Sequence, residues 1–199
     1  MNLRTDLQII SDWIKPSTSV LDLGCGKGEL LYYLQQQHQV TGYGLEIAEE
    51  NITSCIQSGV NVIQLDLDGG LADFKDNSFD YVVMAHTLQA VRHPEQLLQE
   101  MLRIGKEGIV TFPNFGHWRG RLHLFLHGSM PVTRALPNSW YNTPNIHLCT
   151  IRDFEKLCHE QGIHILQRSV VNHAHRHSLG ARILPNLLGE IAIYHFCKK

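Results

Sequence analysis

The chain has 199 residues, enough for one domain with a self-sufficient core and too few for several. Seventeen Lys and Arg stand against nineteen Asp and Glu, a formal charge of −2, and no basic stripe marks a nucleic-acid face. The five cysteines, Cys25, Cys55, Cys149, Cys158 and Cys197, form no CxxC pair, so neither a disulfide framework nor a zinc ribbon is expected.

In chain order, the opening MNLRTDLQII lacks the apolar core of a signal peptide. No later stretch approaches the roughly 20 apolar residues of a membrane helix. The expectation is a cytoplasmic protein with neither a membrane nor a nucleic-acid partner. Leu3, Leu7, Ile10 and Ile14 recur at helical spacing, so a helix is predicted over 3–15, stopped by Pro16. Ser19–Leu23 is a short apolar run that reads as a buried strand. A helix follows over 28–37, a strand over Val40–Leu45, a helix over 48–58 and a strand over Val60–Leu65. Tyr81–Ala85 is a fourth strand. Pro94 opens a helix through Arg103, and Gly108–Phe112 is a fifth strand. Strands and helices alternating in this way predict right-handed βαβ units and a parallel sheet. Between Asn114 and Cys149 the rhythm breaks. That segment reads as an insertion with a helix near 116–127, lying over the carboxyl edge of the sheet. Thr150 is placed to cap a helix that Gly162 ends, and Ile163–Val171 and Glu190–Cys197 read as two last strands. The whole is an α/β, Rossmann-like, doubly wound and mostly parallel seven-stranded sheet, a single domain over 1–199.

The informative stretch is Val20-Leu-Asp22-Leu-Gly24-Cys-Gly26-Lys-Gly28-Glu29. It follows a strand and opens a helix, the place where open α/β sheets bind ligands and where glycine lets the backbone approach one. Glu46 closes the second strand, about twenty residues on, where a carboxylate can accept ribose hydroxyls. Asp66 closes the third, placed to meet an adenine amino group. A dinucleotide site wants G-x-G-x-x-G facing a pyrophosphate. Here the spacing is G-x-G-x-G, and Asp22 would repel a diphosphate but suit an ammonium. S-adenosylmethionine has an ammonium and a sulfonium and no phosphate, so the charges favour it over NAD.

Asp22-x-Gly24-x-Gly26-x-Gly28 with Glu46 resembles the cofactor site of class I methyltransferases over roughly residues 18–112. Phe112-Pro-Asn-Phe-Gly-His-Trp118, Met130-Pro-Val-Thr133 and Trp140-Tyr-Asn-Thr-Pro-Asn-Ile-His-Leu-Cys-Thr150 closely resemble the MetW family of bacterial methionine-biosynthesis proteins, a likeness running over nearly the whole chain. The resemblance implies S-adenosylmethionine or S-adenosylhomocysteine as cofactor, held by Asp22, Gly24, Cys25, Gly26, Gly28, Glu46, Ile47, Asp66, Leu67 and Ala85. It also implies a link to MetX, the homoserine O-acyltransferase. Two roles follow: a methyltransferase with an unnamed acceptor, or a non-catalytic accessory subunit of the acyltransferase.

Methyl transfer from a sulfonium is an in-line displacement, and a base is needed only when the nucleophile arrives protonated. Acceptor-side candidates follow the fourth and fifth strands: His86, Thr87 and Gln89, then Asn114, His117 and Trp118. His86 reads as a base or as a hydrogen-bonded strand end, and Asn114 as an acceptor contact or a turn-shaper. Arg119, Arg121 and Arg134 offer charge for an acceptor carboxylate. Trp118, Leu122, Phe125 and Leu126 form a stripe that packs on the core or on a partner. Cys25 reads as a small apolar group beneath the loop rather than a nucleophile. His173, His175 and His177 share one face if extended. No local carboxylate or cysteine joins them, and no metal site is expected.

Overall fold

A computed structural model describes residues 3–133, 135–171 and 183–199. Its elements run α1 (Thr5–Trp13), β1 (Ser19–Leu23), α2 (Glu29–His38), β2 (Thr41–Glu46), α3 (Glu49–Gln57), β3 (Val62–Gln64), β4 (Phe79–Ala85), α4 (Pro94–Ile104), β5 (Gly105–Pro113), α5 (Trp118–His127), α6 (Ile151–Glu160), β6 (Ile163–Val171) and β7 (Ile191–Lys198). The seven strands lie in the order β3-β2-β1-β4-β5-β7-β6. β1 to β5 are mutually parallel, while β7 runs antiparallel between β5 and β6.

The central strands are buried on both faces, which is why they read as continuous apolar runs, while the edge strands β3 and β6 are partly exposed. Alternate residues serve opposite layers. Leu21, Val82 and Met84 pack with Leu98 and Met101 of α4 and Phe154 of α6. Val20, Tyr81 and Val83 pack with Leu7 and Ile10 of α1 and Leu31 and Leu34 of α2. α6 starts on a capping box: the Asp153 N–H donates to Thr150 Oγ1 (3.3 Å) and the Thr150 N–H donates to Asp153 Oδ2 (3.0 Å). The apolar residues of α4 all fall on one face, and Pro94 occupies its first turn.

Most boundaries differ from the sequence expectation by one or two residues, and two of the differences have a visible cause. The predicted 60–65 strand shrinks to Val62–Gln64. The Val60 N–H is taken by the Cys55 carbonyl at the end of α3 (2.9 Å), and Asp66 instead caps a 3₁₀ turn over Leu67–Gly69. β5 starts earlier than expected because α4 runs directly into it at Gly105. No strand forms over 114–149 among the described residues. No helix among them is long and apolar enough to cross a membrane.

Going from β1 to β2 the chain moves one way across the sheet, and from β1 to β4 the other. The carboxyl ends of β1 and β4 are therefore the point where strand order reverses, and there the backbone leaves a crevice.

Candidate functional site

A cleft of about 270 Å³ opens at that switch point. Its walls include Asp22, Gly24, Cys25, Gly26, Ala85 and His86, all singled out in the sequence, together with Arg4 just before α1, Leu7 of α1, Glu29 and Leu30 of α2, Lys27 and Asn51. Gly26 sits at φ +54° with nothing within 4 Å of where a Cβ would stand, so its open side faces free space. Gly24, at φ +73°, is different: a Cβ there would lie 2.5 Å from Thr87 Oγ1. That glycine is required by the close approach of the β4 loop. Gly28 lies outside the lining, and its bare Cα faces Cys55 and Val60. Cys25 packs beneath the loop against Gly44, with its Sγ 3.9 Å from that of Cys55. Burial pushes both thiols up, so neither is poised as a nucleophile.

Asp22 is buried, and among the described residues no group donates a hydrogen bond to its Oδ1. Desolvation, with a smaller contribution from the Glu46 charge, pushes its carboxyl up to about 7. A buried carboxylate oxygen without a donor is costly, and a ligand cation is the natural remedy.

Glu46 does more for the loop than the sequence implied. Its Oε2 accepts from the Gly26 N–H (2.9 Å) and the Asn51 side chain (3.3 Å), and its Oε1 from the N–H groups of Ile47 (2.8 Å) and Ala48 (3.0 Å). The carboxylate thus stitches the glycine loop to the start of α3. Asn51 makes the longest of these contacts and was not picked out from the sequence. Asp66 is exposed and accepts from the Asp68 N–H (3.0 Å). Ile47 is exposed and Leu67 packs on the core; these three stand outside the cleft lining, as does Glu46, which reaches it only through Gly26 and Asn51.

At the far wall His86 takes a left-handed φ of +59°, which is unusual for a residue with a side chain. Its N–H is held by Thr111, through both the carbonyl and Oγ1 at 3.1 Å. Its Nε2 lies 2.9 Å from Oδ2 of Asp6, a buried carboxylate on α1 that also meets Arg4 at 3.1 Å. Burial alone would raise the Asp6 carboxyl, but the His86 hydrogen bond and the Arg4 charge outweigh it and hold it below the ordinary value. An ionised Asp6 is placed to accept an Nε2–H from His86. Eighty residues separate the two, so no local pattern announces this pair.

Several of the other acceptor-side candidates are spoken for. Asn114 donates to the carbonyls of Asn186 (3.1 Å) and Gly189 (2.8 Å) and accepts from the N–H groups of Gly116 (2.9 Å) and Ile151 (3.3 Å). All of its hydrogen-bonding capacity goes to joining three segments, which supports the turn-shaping reading. Gln89 ties the insertion down, its side chain donating to the Pro113 carbonyl (3.2 Å) and its own carbonyl accepting from Ile146 and His147. Arg121 donates to the Gly116 carbonyl (2.6 Å). His117, half-buried, has Nε2 3.9 Å from the Glu190 carboxylate, and burial keeps its pKa low. Arg134, His173, His175 and His177 lie outside the described residues.

α5 does not pack its apolar stripe on the sheet. Of its ten residues only Gly120 is buried, while Leu122, Phe125 and Leu126 are 45%, 85% and 63% exposed.

The family model for Methionine biosynthesis protein MetW matches residues 4–196. The chain belongs to that family. Its members take part in methionine biosynthesis, and the fold here is that of the class I methyltransferases. A bifunctional methionine biosynthesis protein MetXA/MetW from Rhodopirellula baltica is 40% identical over 166 residues, 79% of this chain and 27% of that protein. The chain thus corresponds to about a quarter of that longer relative. An S-adenosylmethionine dependent methyltransferase from Mesorhizobium loti superposes with a TM-score of 0.69 at 14% identity, covering 97% of each chain, a likeness of fold. A human mitochondrial arginine hydroxylase is 29% identical over 97 residues, 48% of this chain and 28% of that protein. The MetW scaffold therefore has kin with more than one chemistry, and function must be argued from its site.

Proposed function

We propose that the cleft between β1 and β4 holds S-adenosylmethionine or S-adenosylhomocysteine, and that the chain is a cytoplasmic S-adenosylmethionine-dependent methyltransferase of methionine biosynthesis. The observation that carries this reading is Asp22, a buried carboxylate with an oxygen awaiting a donor beside an open glycine. It suits an ammonium and opposes a pyrophosphate, which argues against NAD. Glu46 would receive the ribose hydroxyls by releasing Asn51, its longest contact. When bound, the cofactor supplies an electrophilic methyl group. Within this chain Asp6 holds the His86 Nε2–H, so that Nδ1 can take the proton of an arriving nucleophile.

Titration calorimetry with S-adenosylmethionine, S-adenosylhomocysteine and NAD tests the reading. Binding of either sulfur ligand with NAD silent is expected. Binding of NAD alone would overturn it.

A second reading, an accessory subunit of homoserine O-acyltransferase, has its own support. The Rhodopirellula relative joins a MetXA unit and a MetW unit in one chain, and the bare apolar face of α5 suits a protein partner. Co-purification with the acyltransferase and a changed acyltransfer rate on mixing are the expected results. Absence of both at micromolar concentration would remove this reading.

A further inference from the structure

The insertion after β5 encloses a second cavity, about 1010 Å³, between α5, the loop that follows it and the start of β7. None of its lining residues lines the cleft at β1 and β4. Its volume reaches the upper end of the roughly 300–1,000 Å³ typical of small-molecule sites. Phe115, Pro131, Val132 and Leu136 give it apolar walls. The loop wall is stiffened by two prolines and by a turn in which the Leu136 N–H donates to Thr133, both to Oγ1 (3.1 Å) and to the carbonyl (3.2 Å). Asn114, with its four hydrogen bonds, anchors the base. The described part of the wall is therefore held by hydrogen bonds of the chain itself.

Among the described residues, charge at this cavity is divided by element. The strand side brings the Glu190 carboxylate, near the His117 imidazole. The helix side brings Arg119. Arg4, Arg92, Arg103 and Arg168 each meet a carboxylate, whereas Arg119, like Arg121 and Arg152, is in no ion pair among the described residues. Its guanidinium lies instead over the Trp118 ring, 5.5 Å from the centroid, an arrangement that steers the side chain without using its five N–H donors. A planar fork of donors beside apolar walls recognises a carboxylate carried on a hydrocarbon body. We infer that this chamber is a second ligand site, for an organic carboxylate with an extended apolar body whose head group meets Arg119. Because its lining is separate, the site stands whether or not the β1–β4 cleft holds an S-adenosyl compound.

Octanoate is a suitable probe, with octanol as the same body without charge, followed by calorimetry and by Trp118 fluorescence. One saturable octanoate site is expected, with octanol at least about tenfold weaker. Arg119→Gln should weaken octanoate by about tenfold, the scale of one lost charge-assisted contact. Arg119 is exposed, so the variant keeps its fold, checked by unchanged thermal unfolding. Saturating S-adenosylhomocysteine should leave octanoate binding unaltered. Four results would overturn the site: no octanoate binding up to millimolar concentration, equal binding of octanol, unchanged binding by Arg119→Gln, or displacement by S-adenosylhomocysteine. Equal octanol binding would assign the signal to bare apolar surface such as α5.

Discussion

Replacing Asp22 by asparagine should make the free protein more stable and its ligand weaker. Burial raises this carboxyl from 3.8 to about 7, and each pH unit corresponds to 1.36 kcal/mol, so ionising it in the folded chain costs on the order of 4 kcal/mol. The unfolded chain releases the proton near 3.8, while the folded chain keeps it to about 7. Stability therefore falls as pH rises through that window, and the loss is complete above it. An amide in its place escapes the ionisation cost but still buries polar atoms without partners, at about 1–3 kcal/mol. The net gain for Asp22→Asn above pH 8 is then about 1–3 kcal/mol. For a chain of this length that is a rise in Tm of about 2–10 °C. Thermal unfolding of both proteins between about pH 4 and pH 9 measures it, since titrating groups that do not sense Asp22 cancel in the difference. The gap in Tm should widen from about pH 4 to about pH 7 and then level off, while calorimetry shows S-adenosylhomocysteine binding at least about tenfold weaker. A gap independent of pH, or undiminished binding, would refute the assignment of Asp22 as a carboxylate held in reserve for a ligand cation.

Asn114→Ala strands three buried backbone groups and loosens a fourth, part-buried one, and should destabilise the fold by about 3 kcal/mol or more in urea denaturation; a loss below about 1 kcal/mol would show that the three segments it joins are held elsewhere. Gly24→Ala forces a Cβ against Thr87 at a positive φ and should cost about 2 kcal/mol, and pairing it with Thr87→Ala should recover part of that; no recovery would mean that backbone strain dominates. In wild-type protein the ¹⁵N signature of the His86 ring should be that of the Nε2–H tautomer, and Asp6→Asn should redistribute it. An unaltered ring spectrum would deny Asp6 its positioning role.

The order of elements was legible because parallel strands buried on both faces leave unbroken apolar runs, as in Ser19–Leu23 and Tyr81–Ala85, punctuated by glycine and proline. The glycine loop was legible for the same local reason, since a strand, a turn with φ above zero and a helix start are neighbours in sequence. Glu46 and Asp22 could be singled out by their offset from that loop. What each does there could not. The four donors converging on Glu46 come from the glycine loop, the turn after β2 and α3, and the isolation of Asp22 Oδ1 depends on what surrounds it in three dimensions. The Asp6–His86 contact joins α1 to the end of β4 across the sheet, a proximity created by packing and carried by no motif. The same holds for the apolar stripe of α5. Its periodicity says that one face is hydrophobic, and only the tertiary arrangement decides that the face is left uncovered, because a helix's own sequence does not contain the surface it packs against.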